Sequence, residues 1–209
     1  MTVSAFVVPR LRPYFESVAD HASGSVEIDV LERLEELIGP TPLAHSVETG
    51  CGKTTILLSN LSTHHLVFTL DDSQSPNGSL NYVRGCPMFR ADTTQFIVGP
   101  TQRTVGRHVF DAPLDFAMLD GPHAYPFPEL EYYALYPHLR PGALLVIDDI
   151  HIPTIHRLYE FVREDDMFEP VTAVRTTAFL RRTGAPTFSP VSDGWPEQRF
   201  NARRFPVAP

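Results

Sequence analysis

The chain has 209 residues, 43% of them hydrophobic and 20% charged, which is enough for one α/β domain with a full core and short for two. Its formal net charge of -8 argues against a broad nucleic-acid-binding face, which needs clustered Lys and Arg, and no apolar run reaches the roughly 18 residues of a membrane-spanning helix. Two cysteines, Cys51 and Cys86, make neither a disulfide framework nor a zinc cluster, and with no leader pattern at the start the expected setting is a reducing cytoplasm.

Three parts are expected: an N-terminal helical cap segment over 1–40, a main domain over 41–184 and a proline-rich C-terminal arm over 185–209. The 20 prolines gather near the start, in the 122–128 stretch and after Gly184, where loops and arms are expected rather than regular elements. Ile28, Leu31, Leu34 and Leu37/Ile38 stand at helical spacing over 26–38, with Gly39 as a stop. An apolar strand over 43–48 follows, then a helix over 54–61 and a second strand over 65–71. Helical pattern is weaker over 79–84. Strands come next over 94–99 and 114–120, then a helix over 128–138. Arg140-Pro141-Gly142 reads as a turn before a fifth strand over 143–149. A helix over 154–164 leads to two closely linked strands over 168–174 and 176–182. The strands are continuous apolar runs, as in sheets covered on both faces, and strand alternates with helix. That is the pattern of a doubly wound, mostly parallel sheet, closed here by a strand pair. Ligands in such sheets sit beyond the carboxyl ends of the strands, where Glu48, Asp71, Asp120 and Asp148/Asp149 stand.

The stretch VETGCGKTT (47–55) poses a choice. It ends like a phosphate-binding loop, but that loop needs a glycine five residues before Gly52, and Val47 stands there as the last apolar residue of a strand. A dinucleotide fingerprint fails as well, since Gly50 and Gly52 lack a third glycine. What remains is an acid followed by two spaced glycines, which let a backbone approach a ligand closely. Roughly 20 residues on, Asp71 with Asp72 beside it is placed to accept hydrogen bonds from ribose hydroxyls. Together they call for a ribose-bearing cofactor with little phosphate.

VETGCGKTT, FTLDD, LDFAMLDGPHAY and LRPGALLVIDDIH, in this order, resemble the motifs of class I S-adenosylmethionine-dependent methyltransferases. More narrowly they resemble the small-molecule O-methyltransferase branch. The resemblance runs from about Leu43 to Arg182. It implies a seven-stranded Rossmann-like sheet with an antiparallel pair at one edge. It also implies that Glu48, Gly50, Cys51 and Gly52 line the methionine end of the cofactor, that Asp71 and Asp72 hold the ribose, and that Gly99, Pro100 and Thr101 lie near the adenine. Cys51 itself reads as a small buried residue rather than a nucleophile.

If the fourth and fifth strands are neighbours, Asp120, Asp148 and Asp149 converge, and clustered carboxylates repel unless a cation or proton neutralises them. An oxygen-rich site suits Mg²⁺ or a similar cation. The resemblance implies the same ligand set, with Asp120 also at the cofactor, and it places a catalytic base at His123. His151 is the second candidate. The function so implied is methyl transfer from S-adenosylmethionine to a hydroxyl of a small molecule, assisted by a divalent cation. Three alternatives stay open: a metal-independent methyltransferase, a cofactor-binding protein without activity, and an NTPase using Lys53. Trp195 and Phe200 either fold over the substrate, pack on a second subunit, or simply pack. The acceptor and the oligomeric state stay open; no nucleic acid and no membrane are expected as partners.

Overall fold

The computed structural model describes residues 6–17, 26–187 and 193–205. Seven strands form one sheet: β1 (Leu43–Thr49), β2 (Ser62–Thr69), β3 (Thr94–Val98), β4 (Leu114–Leu119), β5 (Leu139–Ile147), β6 (Phe168–Val174) and β7 (Thr177–Arg182). Their order is β3-β2-β1-β4-β5-β7-β6. The first five are parallel, and β7 runs antiparallel to both β5 and β6. The chain starts in the middle, winds outward to β3, then crosses to β4, so β1 and β4 flank the switch point where such sheets bind ligands. The sheet, its seven strands and its antiparallel edge are as the sequence led one to expect.

The continuous apolar runs are explained by burial on both faces. Phe116 and Met118 of β4 and Leu144 and Val146 of β5 point to one core, which is filled by α1 (Val8–Ser17), α2 (Ile28–Ile38), α3 (Lys53–Leu61) and α4 (Ser79–Gly85). The alternate residues Ala117, Leu119, Leu145 and Ile147 point to a second core. There they meet Tyr132 and Leu135 of α6 (Phe127–Leu135) and Ile155, Leu158 and Val162 of α7 (Pro153–Glu164). Two short helices, α5 (Thr101–Thr104) and α8 (Arg199–Arg204), complete the set. Among the described residues no helix is long and apolar enough to cross a membrane.

Two expectations need correction. The proline-rich start is not a loop, since α1 contains Pro13 and buries Val8, Leu11 and Phe15. Its entry is held by the Glu35 carboxylate, which accepts the N–H groups of Val7 at 2.5 Å and Val8 at 2.9 Å. A buried acid thus serves donors that helix starts leave unpaired. The Arg140-Pro141-Gly142 turn lies within β5 as an irregularity. Leu114 pairs with Leu139 and Phe116 already with Leu144, while Gly142 takes φ 85. Arg140 Nε is 2.5 Å from Asp115 Oδ1, which ties the irregularity to β4. In the C-terminal arm, Phe200 packs on Phe161 of α7 at 5.1 Å between ring centroids, and Arg204 pairs with Glu164 at 2.8 Å. Neither Trp195 nor Phe200 lines the main cavity.

Candidate functional site

β1 ends at Thr49, and the chain turns through Gly50 at φ 97, with Gly50 N–H donating to the Phe68 carbonyl at 2.9 Å. A Cβ on Gly50 would stand 2.4 Å from the Asp120 carbonyl oxygen. The residue is therefore glycine for two reasons, its left-handed backbone and the close passage of the β4 end. At this switch point opens a cavity of about 500 Å³. Gly50 and Cys51, after β1, line it. One side is formed by Thr69, Leu70, Asp72, Thr101 and Gln102, the other by Asp120, His123, Asp148 and Asp149. Val26, Glu27 and Val30, at the start of α2, and Arg175–Thr177, at the β6–β7 turn, also line it. Nε of Arg175 lies 2.8 and 2.7 Å from the two carboxylate oxygens of Asp29, which ties that turn to α2.

The sequence-derived cofactor residues divide. Gly50, Cys51, Asp72, Thr101 and Asp120 line the cavity; Glu48, Gly52, Asp71, Gly99 and Pro100 do not. Glu48 points into the sheet core instead. Its carboxylate accepts the Thr54 hydroxyl at 2.7 Å and the Thr55 hydroxyl, and it lies 3.1 Å from His65 Nε2. His65 Nδ1 in turn meets the Ser46 hydroxyl at 2.8 Å. Asp71 is exposed and accepts the Ser73 hydroxyl at 2.6 Å and the Ser73 N–H at 3.2 Å, contacts that lower its pKa. Asp72 faces the cavity while its carboxylate accepts the N–H groups of Ser79 and Leu80, capping α4. The Cys51 thiol is pushed up by burial and then by Glu48, which keeps it protonated and argues against a nucleophile. Lys53 is buried at the start of α3 with its ammonium 6.0 Å from the Phe15 ring, and it does not line the cavity.

The acids beyond β4 and β5 all line the cavity, and Asp148 and Asp149 both act on Asp120, but the three that bring ligand atoms closest together are not the expected trio. Asp148 and Asp149 are consecutive but diverge, because Asp149 takes a left-handed backbone at φ 55. Asp148 is buried, and its Oδ1 accepts the Thr177 hydroxyl of β7 at 2.5 Å. Instead, Asp120, His123 and Asp149 each bring one ligand atom within 4.8 Å of the others. The loop after β4 is held at the start of α7, where the His123 carbonyl accepts the Thr154 hydroxyl at 2.5 Å. His123 Nε2 lies 3.1 Å from Asp149 Oδ2, close enough for charge pairing but outside hydrogen-bond alignment. His151 Nδ1 is 3.5 Å from Asp149 Oδ1 and largely exposed.

Burial pushes the Asp120 carboxyl well up, and Asp148, Glu48, Asp149 and Glu131 push it further. Asp148 is raised too, by burial first, against the opposing Thr177 bond. An acid crowded by four others ionises readily only beside a positive charge, so the donor set of two carboxylates and an imidazole fits a divalent cation. Sequence reasoning missed Gln102, the α2 residues, the β6–β7 turn and Glu131. Gln102 had a weak signal, its place three residues after Gly99; the others had none.

Residues 47–150 match a family model described as Methyltransferase domain. Compared by sequence with curated proteins, the chain matches none. Among solved structures it is similar to a caffeoyl-CoA O-methyltransferase candidate from Staphylococcus aureus, at 13% identity and TM-score 0.63, over 85% of this chain and 92% of that one. It is similar to the O-methyltransferase TomG of Streptomyces achromogenes, solved with S-adenosylmethionine, at 15% identity and TM-score 0.60, over 85% and 89%. The N-methyltransferase NodS of Bradyrhizobium japonicum gives 12% identity and TM-score 0.52, over 74% and 95%. Likeness at these identities is likeness of fold.

Proposed function

We propose, for a chain whose residues 47–150 belong to the methyltransferase-domain family, that it transfers the methyl group of S-adenosylmethionine to a hydroxyl of a small molecule with the help of a divalent cation. The observation that carries this is the meeting of Asp120, His123 and Asp149 within 4.8 Å on the wall of the switch-point cavity. S-adenosylmethionine supplies a sulfonium methyl there, and a divalent cation held by those three residues supplies a Lewis acid that lowers the pKa of an acceptor hydroxyl.

The chain's own residues do the rest. Gly50 leaves room for a ligand against the backbone between β1 and β4. Asp72, at the cavity wall after β2, takes the ribose contact, since each carboxylate oxygen can accept a further hydrogen bond beside its helix-capping one. Thr101 and Gln102 flank the adenine side, and Asp148, tied to Thr177, supports the wall behind Asp149. Most of the rate gain comes from holding donor and acceptor in line in a closed space.

A second reading is favoured by the 3.1 Å approach of His123 to Asp149. Without a cation, His123 beside Asp149 is the group placed to take the acceptor proton. The two readings differ in what the EDTA arm of the titration shows, since only the first needs a cation. Calorimetric titration of S-adenosylhomocysteine with Mg²⁺ and with EDTA tests the whole. We expect a dissociation constant on the order of micromolar, and a Mg²⁺ signal of its own if the first reading holds. No binding in either condition would sink the methyltransferase reading. Asp72→Ala should weaken this binding strongly and Asp71→Ala far less; the reverse order would return the ribose contact to Asp71.

A further inference from the structure

Glu131 is a buried acid that the proposed chemistry does not use. It lies on α6, is 2% exposed, and does not line the cavity. Its Oε2 accepts the Thr49 hydroxyl at 2.7 Å. The same Thr49 oxygen accepts the backbone N–H of Asp120 at 3.1 Å. The direction of the chain is fixed by this arrangement. The single hydroxyl proton goes toward Glu131, at 2.7 Å against 3.4 Å for the Met118 carbonyl, which leaves the oxygen's lone pairs for Asp120. Thr49 is wholly buried and pairs in register with Leu119, the residue before Asp120. No hydrogen bond of normal geometry reaches the other oxygen of Glu131 from a described residue, although the Thr101 hydroxyl lies close enough to lower the acid's pKa. That oxygen lies under the next residue of the same turn, where a Cβ on Gly121 would come within 2.0 Å of it.

An acid in such a place is costly, and an apolar residue of similar size would avoid the cost. Among the described residues no Arg or Lys pairs with Glu131, and burial pushes its carboxyl up to about 7 against the Thr101 and Thr49 hydroxyls. What the acid does in return is seen in its contacts. It fixes the Thr49 hydroxyl on one side and stops the Asp120-Gly121 turn on the other.

We propose that Glu131 is a positioning residue that sets the height of Asp120 at the cavity wall through Thr49. The proposal rests on the functional reading above only in taking Asp120 as a residue that meets ligand.

The test uses the full-length protein, with Mn²⁺ affinity and S-adenosylhomocysteine affinity measured by calorimetry and folding followed by thermal melting. Thr49→Val keeps the shape and removes the hydroxyl; Glu131→Leu removes the acceptor. Each is expected to weaken binding on the order of 10-fold, the scale of partners that orient a ligand residue. Thr49→Ser and Glu131→Gln keep the hydroxyl and the acceptor and are expected to bind like the wild type. The Thr49→Val/Glu131→Leu pair should bind no worse than Thr49→Val alone, because both act through one chain. Gly121→Ala should mimic Glu131→Leu by pushing the carboxyl off Thr49. Should Glu131→Leu fail to fold, Thr49→Val against Thr49→Ser decides. Wild-type affinity in a folded Thr49→Val protein overturns the proposal, and so does full additivity in the double variant. If the wild type binds S-adenosylhomocysteine but no Mn²⁺, the cation part of the functional reading fails and the positioning role is judged on S-adenosylhomocysteine alone. If it binds neither, both fail.

Discussion

Glu48 and His65, on β1 and β2, meet 3.1 Å apart with side chains 1% and 0% exposed. Asp149 and His123, beyond β5 and β4, meet at the same 3.1 Å with 28% and 41% exposed. The residue types and the distance agree, yet the surroundings are opposite. Both oxygens of Glu48 accept hydroxyls, and His65 goes on to Ser46, so the first group is closed on itself. Serine, histidine and acid stand there in the order of a hydrolase triad, but none of the three lines the main cavity. The second group opens on the cavity beside Asp120, whose carboxyl accepts no hydrogen bond from a described residue and is crowded by four other acids. An acid and a histidine in contact therefore make a brace when their hydrogen bonds are complete. They make a candidate site when the bonds are incomplete and a ligand can reach them.

Breaking the first group should have the largest effect. Glu48→Ala leaves His65 and two threonine hydroxyls buried without their acceptor, and about 3–5 kcal/mol of stability should be lost, read from urea unfolding. A loss below 1 kcal/mol on that scale would mean that the group is no brace.

Glu131 stands between the two cases, buried like Glu48 but only half satisfied, and it sharpens the comparison through pH. Its folded pKa of about 7 lies above the ordinary 4.5, so the folded state holds more protons than the unfolded one between those values. Stability is then fully present below pH 4.5 and falls as pH rises through 7. Glu131→Gln should be more stable than wild type at pH 8, by at most about 3 kcal/mol, and the difference should vanish near pH 4. Equal melting temperatures at pH 8 would show that the ionised acid is not penalised.

Asp120→Asn relieves repulsion in the second group. It should raise the melting temperature at pH 8 without added metal while removing the Mn²⁺ signal in calorimetry. A lower melting temperature would place Asp120 with the braces. The smallest effect is expected at the arm, where Glu164→Gln removes the partner of Arg203 and Arg204. Exposed arginines are screened by solvent, so the urea-unfolding midpoint should barely move.

Much of the fold was legible. The sheet strands were visible as continuous apolar runs because both faces are buried, and α2 because a half-buried helix leaves a periodic stripe. The α1 helix was not, since Pro9 and Pro13 mark loops by local rules. Its entry is held by Glu35, an acid some 27 residues away in the chain. The residues at 140–142 were read as a turn before the strand, whereas they lie within it as an irregularity that a local rule cannot tell from a turn. In the site, Gly50 and the acid-bearing strand ends could be read from spacing. The direction of each carboxylate could not, since Glu48 and Asp148 turn toward hydroxyls supplied by other elements.

The sequence by itself determined the order of strands and helices, the strand ends where ligands bind, and the need for glycine at position 50, because these follow from periodicity and from backbone sterics within a few residues. Tertiary structure alone decided which acids reach the cavity. It set Asp72 rather than Asp71 on the wall, brought His123 within ligand distance of Asp120 and Asp149, and put Glu131 beneath Thr49. A carboxylate goes where its hydrogen-bond donors are, and in this chain those donors come from residues as far as 82 positions away.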